Sequence, residues 1–247
     1  MIVKILGSGG YHPTETRHTT CVMIPEYGIV LDAGTAFFRV GENLATDHLA
    51  VLLSHAHLDH VTGLTYVFDI FQNNLQQNNI NVYGRADHLQ AVEKTLFSQP
   101  FFSAKPSMLF NPVVAQREFS LKNGIRVLAK ENNHPGGSLG YRLTFPNGKI
   151  VVYLTDTIAS EADVDFARDA DLLLHECYAK EKERDFALAT GHSWPSSVYD
   201  LAAKAGVKQL ALIHLNPSHN LPDPFGEKDL SVTKKRIIAN DNLTLSV

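Results

Sequence analysis

Cysteine is scarce in this chain. The two thiols among 247 residues, Cys21 and Cys177, lie far apart and form no CxxC pair. A disulfide framework is therefore excluded, and the pair reads as free, buried thiols suited to a reducing, cytoplasmic setting. Long apolar runs are lacking too: no stretch approaches the roughly 20 apolar residues of a membrane-crossing helix. The opening Met1-Ile2-Val3-Lys4-Ile5-Leu6-Gly7 is too short for a signal peptide and reads as a first strand. Excess charge of one sign is also missing. With 22 basic against 26 acidic residues and a net charge of −4, the chain offers no broad basic face for sequence-independent nucleic-acid binding. No Pro/Gly/Ser linker, repeat or charge block interrupts it, so a single domain over 1–247 is expected.

Histidine, by contrast, is abundant, with twelve residues. Three of them fall in Ser54-His55-Ala56-His57-Leu58-Asp59-His60, directly after the apolar run Leu49–Leu53. That run has strand length and composition, so the H-x-H-x-D-H cluster sits where a buried strand ends. Imidazoles and a carboxylate at this spacing suit a borderline divalent metal such as zinc.

The remaining pattern alternates strands and helices. Val3–Leu6 leads into Gly7-Ser8-Gly9-Gly10, and Thr20–Ile24 and Ile29–Leu31 flank the turn Pro25-Glu26-Tyr27-Gly28. Val61–Gln72 has helical spacing through Leu64, Val67, Phe68 and Phe71; Ile80–Tyr83 reads as a strand and Ala86–Phe97 as a helix. The proline- and aromatic-rich stretch Ser98–Gln116 reads as an ordered loop, either a cover over the site or packing against the helix before it. Strands are then expected at Gly124–Ala129, Leu139–Phe145, Lys149–Leu154, Ala170–Leu174, Gln209–Leu215 and Leu243–Val247. Helices are expected at Asp163–Arg168, Pro195–Ala205 and near Gly226–Ile237. Two face-to-face sheets with helices outside would satisfy this order.

Metal-competent side chains recur at the carboxyl ends of these strands. They are His134, Asp156, His175 with Glu176, and His214, while His192 stands in the loop before the Pro195 helix. His175 alone reads equally well as a core histidine. The ordered set is specific. The Gly-rich first loop, Leu31-Asp32-Ala33-Gly34, the H-x-H-x-D-H cluster, His134, Asp156 and His214 together resemble the metallo-β-lactamase superfamily over essentially the whole chain. The resemblance implies an α/β fold, the αββα four-layer sandwich, with two divalent metal ions at one edge. Zinc is the default metal, with manganese and iron as alternatives. Carried over, His55, His57 and His134 would hold one metal, and Asp59, His60 and His214 the other. Asp156 would bridge them, and Asp59 would also count among the catalytic groups. A shared carboxylate and a bridging hydroxide would hold the two dications together and supply the nucleophile. Asp32 reads either as a support orienting a histidine or as a turn residue.

Within the superfamily, Leu173-Leu174-His175-Glu176 and Gly191-His192-Ser193 resemble the His-Glu and Gly-His-Ser boxes of the tRNase Z and phosphodiesterase branch, as do Pro13 and Arg17. That likeness implies that His192 protonates the leaving oxygen and that Glu176 orients its ring. Only 22 positions separate His134 from Asp156, leaving no room for the long tRNA-gripping arm of tRNase Z. A small, even cyclic, phosphodiester is therefore the expected substrate, as in the phosphoribosyl cyclic phosphodiesterases and bacterial cyclic-nucleotide enzymes. Nucleic acid ranks second to it, no membrane partner is expected, and a homodimer is compatible with the resemblance. The alternatives are a tRNase Z-like RNA 3′-processing nuclease, a non-phosphoester hydrolase of the same fold, and a non-catalytic metal-binding protein.

Overall fold

A computed structural model describes residues 1–73, 79–219 and 235–247. Fourteen strands are described, in chain order: β1 Ile2–Gly7, β2 Cys21–Ile24, β3 Ile29–Leu31, β4 Leu49–Leu52, β5 Ile80–Gly84, β6 Leu109–Pro112, β7 Glu118–Ser120, β8 Arg126–Asn132, β9 Ser138–Thr144, β10 Ile150–Leu154, β11 Leu172–Glu176, β12 Leu210–Ile213, β13 Arg236–Ile238 and β14 Leu243–Ser246. They form two seven-stranded sheets, each inside one of two compact units.

Unit 1 comprises Met1–Ser8, His12–Val114 and Asn240–Ser246. Its sheet runs β14-β1-β2-β3-β4-β5-β6, antiparallel from β14 to β3 and parallel from β3 to β6. The turn Pro25–Tyr27 closes the β2–β3 hairpin as expected. β4 is buried at all four positions, which explains its unbroken apolar sequence. Its core gathers Phe37, Val51, Leu53, Leu64 and Val82. A partly buried polar knot ties the first strand to the last. Asp241 accepts from the Ser8 N–H and hydroxyl, the His18 N–H and Arg39, while Arg17 bonds to Ser8 and Asn240.

Unit 2 comprises Gly9–Tyr11, Ala115–Ala239 and Val247. Its sheet runs β13-β12-β11-β10-β9-β8-β7; the β7–β10 half is antiparallel and the β10–β13 half parallel. Helix α1, Leu58–Val61, belongs to unit 1, and α2 Glu161–Ala167, α3 Arg184–Thr190 and α4 Pro195–Lys204 belong to unit 2. α2 and α4 bury Val164, Phe166, Val198 and Leu201 with Val152, Leu173 and Leu212 of the sheet.

Three expectations are corrected. Part of the stretch taken as loop is β6, whose Pro112 is tolerated because β6 is the sheet's edge. The helix expected over Val61–Gln72 starts as a tighter 3-10 turn, Thr62–Tyr66, where Gly63 lies against the backbone of Ala33 and Gly34. Of the helix expected near Gly226–Ile237, Arg236–Ile238 is strand β13, paired in parallel with β12; positions 220–234 lie outside the described residues. Among the described residues no helix is long and apolar enough to cross a membrane.

Both cysteines are free and fully buried, and burial pushes each thiol well above its usual range. The thiolate is the reactive form. Iodoacetamide at pH 8 is therefore expected to leave the native protein unlabelled and to modify both residues in guanidinium. Native labelling at the rate of a free thiol would contradict the buried assignment.

Candidate metal centre

The parallel strands of each sheet end where the chemistry begins. In unit 1, β3 runs into Asp32 and β4 into Ser54-His55. Asp32 takes left-handed backbone (φ 57°), a strained setting for a residue with a Cβ, and has no exposed surface. Its Oδ1 accepts the Ser54 N–H at 2.7 Å; its Oδ2 accepts the Ser54 hydroxyl at 2.7 Å and the His60 Nδ1–H at 2.8 Å. A carboxylate only accepts, so His60 carries its ring proton on Nδ1 and turns a lone pair outward at Nε2. The same logic reaches His55. The Ser54 hydroxyl, already donating to Asp32, accepts from His55 Nδ1 at 3.0 Å. The His55 ring centroid lies 4.3 Å from those of both His57 and His60. Asp59, on α1, brings Oδ2 to 3.3 Å from His60 Nε2.

Unit 2 repeats the device. β8, β10, β11 and β12 run in one direction, and His134, Asp156, Glu176 and His214 stand at or just past their carboxyl ends. Asp156 (φ 46°) and His214 (φ 50°) share the left-handed strain of Asp32. His134 donates through Nδ1 to the Gly191 carbonyl at 3.1 Å, fixing its lone pair at Nε2. Gly191 caps α3 at φ 78°, and a Cβ there would lie 2.4 Å from Pro135 Cδ. Gly10 lies so close to the His214 ring that a Cβ would come within 2.5 Å of it. Asp156 Oδ1 is 3.3 Å from His214 Nε2, and Oδ2 is 3.8 Å from His134 Nε2. Asp156, His192 and His214 each offer a ligand atom within 4.8 Å of the others.

Glu176 is fully buried and anchors the loops around it. Oε1 accepts the Thr157 N–H and the His192 Nδ1–H, both at 2.9 Å; Oε2 accepts the Tyr178 N–H at 3.0 Å and the Ser193 N–H at 3.2 Å. The Tyr178 ring stacks on His192 at 4.5 Å and 24°. His175, fully buried, donates from Nδ1 to the Glu176 carbonyl. Burial lowers its pKa, so it sits in the core as a neutral ring and takes no part in the site.

These geometries test whether a divalent metal fits. His60 Nε2 against Asp59 and His134 Nε2 against Asp156 are lone-pair nitrogens 3.3 and 3.8 Å from carboxylate oxygens, because both rings hold their protons on Nδ1. Two acceptors that close repel unless a cation or proton lies between them. Neutral imidazoles with carboxylates are the donor set for zinc, manganese or iron. The residues therefore fit a divalent metal.

A family model described as Beta-lactamase superfamily domain matches residues 27–215. The chain belongs to the β-lactamase superfamily. This superfamily membership carries the enzyme class expected from the sequence, a metal-dependent hydrolase. A ribonuclease Z of Archaeoglobus fulgidus is 25% identical over 301 residues, covering 100% of this chain and 98% of that one. Among solved structures, the metallo-β-lactamase fold protein YhfI of Bacillus subtilis matches with TM-score 0.78 and 22% identity, over 99% of both chains. The short form of human tRNase Z matches with TM-score 0.79 and 19% identity, over 100% of this chain and 99% of that one. A diphosphatase of the PhnP family matches with TM-score 0.68 and 18% identity, over 99% of this chain and 96% of that one. These likenesses show the fold, and the α/β class of metallo-β-lactamase type stands.

Each unit gathers its own share of the expected residues: His55, His57, Asp59 and His60 in unit 1, and His134, Asp156, Glu176, His192 and His214 in unit 2. Sequence reasoning missed Ser54, which relays Asp32 to His55, and Tyr178, which stacks on His192. The position of Ser54 directly before the cluster was a usable signal; nothing in the local pattern marks Tyr178. Arg17 sits in the polar knot with Ser8 and Asn240.

Replacing Asp32 by Asn turns one acceptor into a donor facing Ser54 and His60. Asp32→Asn is expected to weaken zinc binding about 10–100-fold and to cost about 1–3 kcal/mol of stability. Zinc competition against a chromogenic chelator and urea unfolding read the two effects. An unchanged affinity would show that Asp32 does not orient His60.

Proposed function

We propose that the protein is a binuclear metal-dependent phosphodiesterase acting on small diesters, cyclic ones included. The family match at 27–215 runs through residues of both units, which supports treating 1–247 as one hydrolase domain. In this reading His55, His57 and His134 would hold one divalent metal and Asp59, His60 and His214 the second, and Asp156 would serve both. Zinc is the first choice and manganese or iron the alternatives. Bound there, such metals supply Lewis acidity: they lower the pKa of water and offset the charge of the phosphoryl transition state.

The chain's own residues supply the proton. The carrying observation is the Glu176–His192 pair, whose imidazole ring reaches Asp156 and His214 in the same unit. With Nδ1–H held by the Glu176 carboxylate, the ring accepts a second proton on Nε2 and donates it to the departing alkoxide. Tyr178 fixes the ring plane from one face. After the leaving group departs, the neutral imidazole regains its proton from solvent. This acid suits an oxygen leaving group that would otherwise depart as a strongly basic alkoxide.

The hairpin of β9 and β10 bears on the substrate's size. The segment between His134 and Asp156 is filled by this antiparallel hairpin, which supports small diesters over a gripped tRNA. The ribonuclease Z relatives keep RNA 3′-processing as the second reading.

With zinc or manganese supplied, the wild type is expected to hydrolyse bis(p-nitrophenyl) phosphate. His192→Ala should lower kcat by about 10²–10⁴ for diesters with alkyl leaving groups, and by much less when p-nitrophenolate departs. Equal losses for both leaving groups would remove the general-acid role. Faster cleavage of a 3′-extended tRNA precursor than of any small diester would put the RNA reading first.

A further inference from the structure

The segment that carries the unit 1 histidines also walls an apolar cavity. Its volume is about 340 Å³, and Ala56, Leu58, Val61, Val92, Leu96 and Phe101 line it. Ala56 falls between His55 and His57, and Leu58 between His57 and Asp59. Neighbouring Cα atoms are about 3.8 Å apart, so the cavity wall and the candidate ligands are adjacent stretches of one backbone. The other wall comes from 91–96 and from Phe101, which continue the run after β5.

Two wall residues are conspicuous for their exposure. Leu58 is 68% and Phe101 77% exposed, although both are large and apolar. Burial is available locally. Phe97 and Phe102 pack edge to face at 5.6 Å, and Phe102 stacks on Phe68, so this part of the Ser98–Gln116 stretch does pack inward. Phe101 does not join them and lines the cavity instead. Large apolar side chains left at the rim of a cavity beside a reactive centre mark a ligand surface. Thr95 is the one hydroxyl among the lining residues, so the cavity offers little to a sugar or to hydrogen-bonding base edges.

We propose that this cavity binds an apolar, ring-sized substituent on the substrate: the phosphodiester carries an aryl or comparably apolar arm that lies between Leu58 and Phe101. The proposal rests on the phosphodiesterase reading and narrows its substrate class away from diesters bearing only sugars.

The test compares two diesters with the same leaving group, methyl p-nitrophenyl phosphate and phenyl p-nitrophenyl phosphate, on the metal-loaded enzyme. The wild type is expected to favour the phenyl diester by at least about tenfold in kcat/KM, the order that burying a ring supplies. Phe101→Ala, which removes an exposed wall, and Ala91→Phe, which fills the cavity from an exposed position, should each abolish most of that preference. Both should leave the methyl diester within about twofold of wild type. No preference in the wild type, or a preference unmoved by both variants, overturns the proposal. If neither diester is turned over, the phosphodiesterase reading fails, and the cavity is judged by binding alone. Phenylphosphonate should then shift the methyl resonances of Ala56 and Ala91 in the wild type but not in Ala91→Phe at position 56, and methylphosphonate should shift neither. Absence of that difference overturns the cavity assignment.

Discussion

A buried carboxylate holding the Nδ1–H of a histidine is the interaction on which the rest of this chain's chemistry depends. Among the described residues each unit carries one such pair. Asp32 holds His60 at 2.8 Å and, through Ser54, sets the proton of His55. Glu176 holds His192 at 2.9 Å while three backbone N–H groups pin the carboxylate itself. In both cases the ring is locked in one tautomer and one plane, with Nε2 turned outward. A freely rotating imidazole would have to be ordered at each binding or turnover event, whereas these rings are ordered on folding. His134 achieves the same with the Gly191 carbonyl.

The cost of that order appears in the backbone. Asp32, Asp156 and His214 all adopt left-handed φ values that only glycine takes without strain. Each stands just past a strand buried in its sheet, where the hydrogen-bond ladder fixes the direction of chain exit. The strands therefore define the position from which each side chain departs, and the strained residue re-aims it. The conformational preference of a single residue loses to the sheet, the expected balance at a reactive site.

Much of this is legible in the sequence, and the reasons are physical. The H-x-H-x-D-H spacing and the apolar runs ending in Asp156, Glu176 and His214 show because strand ends and side-chain chemistry coincide within a few residues. Strand β4 is visible for the same reason: burial on both faces leaves an unbroken apolar run. Long-range consequences are not visible. The partnership of Asp32 with His60 spans 28 positions and that of Glu176 with His192 spans 16, so only the resemblance to a known family suggested them. Edge strands β6, β7 and β13 escape detection because short, half-exposed segments carry little periodicity, and Pro112 argues against a strand unless the edge position is known. Tyr178 was invisible because a stacking partner needs no particular spacing.

The central proposal is that the chain's locked imidazoles and carboxylates serve two divalent metals. Metal content after reconstitution tests it most directly. Protein stripped with a chelator, supplied with zinc and dialysed should retain close to two ions per chain by mass spectrometry, and Asp156→Asn should lower the content of both sites together. Retention of less than about one ion per chain by the wild type, or loss of one ion only in Asp156→Asn, would contradict the account.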